Sequence, residues 1–115
     1  MTSANNFEAI NARIKKFCSD RDWSQFHDPK NLAISLQLES TEILELFQWT
    51  KNNEIKQGKE SELPDEIADV FYWAVMLANH YNIDLLQALS NKMDKNEAKY
   101  PIEKAKGTAA KYTEL

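Results

Sequence analysis

Glycine is nearly missing from this chain, with only Gly58 and Gly107 among 115 residues. A Walker loop or a dinucleotide fingerprint needs several closely spaced glycines to wrap phosphates, so any nucleotide bound here is held by other means. One cysteine, Cys18, and two histidines, His27 and His80, make a poor set for a structural zinc site. The lone thiol has no internal partner for a disulfide, and a reducing, cytoplasmic setting is the natural expectation. Long apolar runs are also missing. The longest, Val70 to Ala78, is nine residues, where a membrane span needs roughly 20. The start, Met1-Thr2-Ser3-Ala4-Asn5-Asn6-Phe7-Glu8, has neither a basic patch nor an apolar stretch, so no secretory signal is expected. Excess positive charge is lacking as well: the net charge is −4, which argues against binding nucleic acid through phosphate neutralisation.

What is present is a globular composition, 43% hydrophobic and 28% charged, at a length that suits one domain over residues 1–115. Apolar residues recur at helical spacing and nowhere alternate, which predicts an all-α, four-helix bundle-like fold. The first helix is expected over Phe7–Asp20, capped by Asn5 with Glu8, with Phe7, Ile10, Ile14 and Phe17 on one face. A loop with three aromatic rings follows, over 21–27. The second helix opens at Asp28-Pro29, an N-cap followed by proline at the first helical position, and continues to about Trp49. Residues 51–62 read as a surface loop. The third helix begins near Pro64 and ends near Tyr81. The fourth starts at Asp84, with Gln87 completing a capping box, and stops before Pro101. Residues 102–115 read as a C-terminal arm.

Carboxylates occupy positions that ought to be apolar. At roughly 100° per residue, Leu36, Ile43 and Leu46 lie within about 40° of Leu32. Glu39 falls inside that stripe, Glu42 stands at its edge beside Ser35, and Glu45 points elsewhere. On the third helix, Val70, Trp73 and Leu77 lie within about 40° of Glu66, and Asp69 is adjacent. Packing the two helices together would collect Glu39, Glu42, Glu66 and Asp69 in one place. Four acids so close do not all stay ionised without a cation, and hard oxygen ligands favour Mg²⁺, with Mn²⁺ as an alternative. A ferritin-like di-iron site wants Glu-x-x-His on two helices; the fourth positions here are Glu42 and Asp69, which excludes it. A helical binding or regulatory module with a structural cation remains as the competing class.

Helix four adds Lys92, Asn96 and Lys99 along one line, with Tyr100 adjoining. That row suits a polyphosphate, and its spacing is equally that of a solvated helix face. Trp49 falls on the Glu42 edge of its wheel and Trp73 shares the Glu66 face, where rings next to the acids are suited to sandwich a base. The third helix is apolar nearly all round, through Val70, Phe71, Tyr72, Trp73, Val75, Met76 and Leu77. One small bundle covers only one side of such a helix, so a homodimer or homotetramer is expected.

Glu39-x-x-Glu42 followed by Glu66-x-x-Asp69 resembles the four-carboxylate signature of the MazG-like, all-α nucleoside triphosphate pyrophosphohydrolases. Arg21-Asp22-Trp23, Phe26-His27, the run from Glu42 to Trp49, Lys92-Met93-Asp94 and Lys111-Tyr112-Thr113-Glu114-Leu115 are similar to the dCTP pyrophosphatase branch of that family. The resemblance implies Mg²⁺-dependent hydrolysis of a dNTP to dNMP and pyrophosphate, in the house-cleaning of nucleotide pools. It implies a metal held by Glu39, Glu42, Glu66 and Asp69. On chemical grounds a carboxylate not fully committed to the metal takes the water's proton, with Glu39 or Glu42 as the expected general base. Lys92 and Asn96 would contact phosphates, joined in the row by Lys99 and Tyr100. Trp23 and Trp49 would line the base pocket, with His27 and Trp73. Trp73 stands where relatives have a tyrosine, and Ile14 replaces a polar residue of that pocket, so the preferred base stays open.

Overall fold

The computed structural model describes residues 6–115, and among them every regular element is helical. The helices are α1 (Phe7–Asp20), α2 (Pro29–Phe47), α3 (Leu63–His80), α4 (Leu85–Lys99) and the short α5 (Ile102–Ala105). Two compact units result: one ends at Asn82 and holds α1 to α3, and the other is Ile83–Leu115. No helix of the described residues is long and apolar enough to cross a membrane.

Side-chain caps set where the helices begin. Asp28 Oδ1 accepts from the Asn31 backbone N–H at 2.8 Å, ahead of Pro29, so α2 starts where the sequence predicts. Asp84 Oδ1 likewise accepts from Gln87 N at 3.0 Å. The return arm of that capping box is not made, and Gln87 Nε2 donates onward to Asn91 Oδ1. On α1 the cap is Asn6, whose Oδ1 accepts from Ala9 N at 2.8 Å. The expected Asn5–Glu8 pairing is therefore displaced by one residue. Asn5 itself lies outside the described residues, as do residues 1–4 of the start in which no secretory signal is expected.

The end of α2 departs from expectation. Apolar periodicity runs on to Trp49, but the helix stops at Phe47, and Trp49 takes φ 66°, in the left-handed region. The loop then folds back, and Lys56 N donates to Leu46 O at 2.8 Å, satisfying a carbonyl that the helix end leaves without a partner.

In the first unit α3 packs on both α2 and α1. Cys18, Leu32 and Met76 form the buried cluster, with Ile14, Tyr72, Trp73 and Leu77 packed against it. Asn11 and Asn79 exchange amide hydrogen bonds at 3.1 and 2.7 Å, a polar clasp between α1 and α3. In the second unit the C-terminal segment contributes α5 and a turn at Tyr112–Glu114. Tyr112 meets the Tyr100 ring edge-on at 6.0 Å and lies 4.8 Å below the Lys99 ammonium.

Leu32 is 2% exposed at the centre of this cluster. Leu32→Ala is expected to lower the unfolding free energy by about 2–5 kcal/mol. A urea titration measures it, and a loss below about 1 kcal/mol would place the core elsewhere.

Candidate functional site

Two helices build the site from the same device. On α2, Glu39 and Glu42 are one turn apart, and on α3, Glu66 and Asp69 are. Because α2 and α3 pack face to face, both pairs converge. One carboxylate oxygen from each of the four lies within 4.8 Å of the others. Glu66 sits in the first turn of α3, where the positive end of the helix dipole favours a negative side chain. Glu45 stays outside the cluster, as the helical wheel predicts.

No cationic side chain pairs with any of the four among the described residues. Glu39 Oε2 and Glu66 Oε2 are buried and accept no hydrogen bond. Both groups are forced to hold protons. A hydrogen bond to Glu42, reinforced by burial and by the neighbouring charges, pushes Glu39 up to about 7. The same causes, led again by the bond to Glu42, push Glu66 up to about 7. Glu42 goes the other way: bonds from Glu39 and then Glu66 hold it below the usual carboxylate range. Below about pH 7 the cluster therefore favours protons on Glu39 and Glu66 and the charge on Glu42. A divalent cation would replace those protons, and the two orphaned buried oxygens are the acceptors it would satisfy. The donor set fits a hard divalent ion.

A cleft of ≈ 530 Å³ opens beside the acids, with Glu39 and Asp69 in its wall. Half of the remaining lining is aromatic: Phe17, Trp23, Tyr72 and Trp73. Trp23 stands edge-on to Phe17 at 5.4 Å, and Trp73 edge-on to Tyr72 at 5.0 Å. Flat apolar walls next to a polyanion-binding metal site suit a base linked to phosphates.

The predicted residues divide. Trp23 and Trp73 are in the cleft. His27 instead borders a separate cavity of ≈ 270 Å³ with Cys18 and Met76, and its ring meets Trp73 edge-on at 5.8 Å. Trp49, expected on the Glu42 edge of a helix, is beyond the end of α2 and 89% exposed. Lys92, Asn96 and Lys99 share α4, and Tyr100 follows as its C-cap, all in the second unit. Sequence reasoning missed Arg13 and Tyr72 as cleft residues. Arg13 lies three residues after Ile10 and four before Phe17, so its place on the apolar face of α1 was legible from spacing.

The raised acids set a pH dependence. Glu39 and Glu66 bind protons more tightly in the folded chain than at their ordinary 4.5. Their protonation therefore favours the fold fully below about 4.5, and that gain is lost as pH climbs through about 7. Glu42, shifted down, acts only on the acid side of this window. Chelated protein is expected to melt lower at pH 8 than at pH 5.5. Mg²⁺ or Mn²⁺ should raise the melting temperature more at pH 8, by the equivalent of about 2.7 kcal/mol at a hundredfold excess over Kd. Equal melting at both pH values with no gain from metal would remove the site.

Known proteins resemble this chain in sequence and in fold. The MazG-like family model matches residues 34–115, across all four carboxylates. Mouse dCTP pyrophosphatase 1 is 40% identical over 94% of this chain, and the human protein of that name 41% over the same share. This chain spans 66% of the length of each, just under two thirds. A pyrophosphatase crystal structure from Archaeoglobus fulgidus superposes with a TM-score of 0.76 at 38% identity, covering 82% of this chain and 91% of that one. With its all-helical architecture and the Glu39, Glu42, Glu66, Asp69 cluster, the chain belongs to the MazG-like family.

Proposed function

We propose that this protein is a Mg²⁺-dependent nucleoside triphosphate pyrophosphohydrolase that converts a dNTP to dNMP and pyrophosphate, with dCTP or a 5-modified dCTP as substrate. The observation that carries the reading is the convergence of four carboxylates at the wall of an aromatic cleft. The dCTP pyrophosphatases at about 40% identity support the substrate class. The family match runs from one compact unit into the other, which supports treating residues 1–115 as one functional domain with 102–115 as its C-terminal arm. Cys18, unpaired and buried, fits a reducing, cytoplasmic setting.

Each group then has a task. Trp23 and Trp73 hold the base between their faces, and His27 buttresses Trp73 by its edge-on contact. Glu39, Glu42, Glu66 and Asp69 would hold Mg²⁺, which when bound neutralises the triphosphate and polarises the α-phosphoryl group. Lys92 and Asn96, both on α4, are the residues that the family resemblance assigns to phosphates, and within the same unit Lys99 and Tyr100 lie against the Tyr112 ring. A water oxygen bonds to the α-phosphorus as the bond to the bridging oxygen breaks, and pyrophosphate leaves. Glu42, ionised and exposed, is suited to take the water's proton, and Glu39 is the alternative from the cleft wall.

A homodimer or homotetramer completes the reading. Trp49 at 89%, Leu44 at 69% and Leu38 at 62% exposure leave the outer face of α2 and its end apolar, more than a lone small protein commonly shows. In such an assembly Trp49 would serve the cleft of a neighbouring copy. Light scattering at micromolar concentration is expected to give a dimer or tetramer, and a stable monomer would count against it.

Chromatography of the products tests the reaction. Accumulation of dNMP and pyrophosphate is expected, whereas dNDP and orthophosphate would show cleavage at another bond. Metal binding with no turnover of any dNTP would favour a structural module. Glu39→Gln should lower kcat by at least about 100-fold while leaving the metal-free protein as stable or more so, because a like charge has gone. Glu45→Gln, outside the cluster, should change kcat less than about twofold.

A further inference from the structure

The aromatic cleft contains one cationic side chain among its described lining, Arg13. Arg13 forms no ion pair and no side-chain hydrogen bond among the described residues, so its guanidinium is uncommitted. The other polar groups near the base position are already engaged. Tyr72 Oη lies 3.3 Å from Cys18 Sγ in a hydrogen bond, and Glu39 and Asp69 belong to the acid cluster. Of the remaining walls, Ile10, Ile14, Phe17 and Ala68 carry no polar side-chain group, and Trp23 and Trp73 offer one indole N–H each, a single donor that does not make the paired contact of a guanidinium.

A guanidinium presents parallel N–H donors and accepts nothing, so it pairs bidentately with two adjacent acceptors. Cytosine offers such a pair in N3 and O2. Uracil and thymine carry a hydrogen on N3, and the same approach then sets donor against donor. Resting on the nucleotide reading above, we infer that Arg13 is the specificity-determining residue of the cleft, selecting a cytosine edge over a uracil or thymine edge. Selectivity of this kind is large because the wrong base leaves the arginine unpaired in a partly dry site.

The test uses the full chain without metal and two probes, dCMP and dUMP, titrated calorimetrically into wild type, Arg13→Met and Arg13→Lys. Wild type is expected to bind dCMP at least tenfold more tightly than dUMP. Arg13→Met should bring the two within about twofold by weakening dCMP alone, and Arg13→Lys should recover only part of the preference, since an ammonium lacks the planar fork. Melting temperature and Mg²⁺ affinity should be unchanged in both variants, because Arg13 is exposed and holds no internal bond. Equal weakening of dCMP and dUMP would overturn the inference by placing the arginine on the phosphate, and an unaltered preference would overturn it outright. These results leave the nucleotide reading standing if wild type releases pyrophosphate from dCTP. A wild type that cleaves no dNTP defeats that reading, and the inference falls with it.

Discussion

Mutual repulsion among four carboxylates held within 4.8 Å of one another is the constraint around which this fold is organised. Two helices that packed through leucines alone would be more stable in isolation. Instead α2 and α3 bring Glu39 and Glu66 into their contact, where burial and the neighbouring acids raise both to about 7, so that they give up their protons far less readily than in water. Stability for the rest of the unit therefore comes from its margins: the Cys18, Leu32 and Met76 cluster, the caps at Asn6 and Asp28, and the Asn11–Asn79 clasp. The strain in the acids is relieved by the ion they are suited to bind, so the site's instability and its proposed chemistry have one source.

The cleft follows from the same packing. α3 carries Asp69 and, three and four residues on, Tyr72 and Trp73, so the helix that supplies acids also supplies aromatic wall. α1 closes the other side with Ile10, Arg13, Ile14 and Phe17. A base seated between these walls is thereby held at a fixed distance from the acids by rigid helices rather than by loops, an arrangement that favours reproducible positioning.

Much of this was legible in the residues alone. The span Phe7–Asp20 followed from apolar steps of three and four, and the acid cluster from two i,i+3 pairs set inside apolar stripes. Trp49 was not legible, because the helical pattern continues past Phe47 and nothing in it announces the left-handed turn that ends the helix. His27 follows a 3-10 turn at Ser24–Phe26, whose direction leaves no periodic trace, and it meets Trp73 edge-on and borders a separate cavity instead of the cleft. Arg13 escaped for a different reason: a charge at the margin of an apolar stripe reads as solvated, although the spacing places it on the cleft face. Periodicity identifies faces well. It says little about what lies beyond a helix end.

Proton release on metal binding probes the acid cluster most directly. Calorimetric titration with Mn²⁺, in buffers of differing ionisation enthalpy, counts the protons displaced. Glu39 and Glu66, pushed up to about 7, hold protons at pH 6 that an incoming ion must expel. Release is expected at pH 6, much less at pH 8, and less at pH 6 in Glu39→Gln. The same release at both pH values, or Glu39→Gln indistinguishable from wild type, would contradict a metal held by these carboxylates.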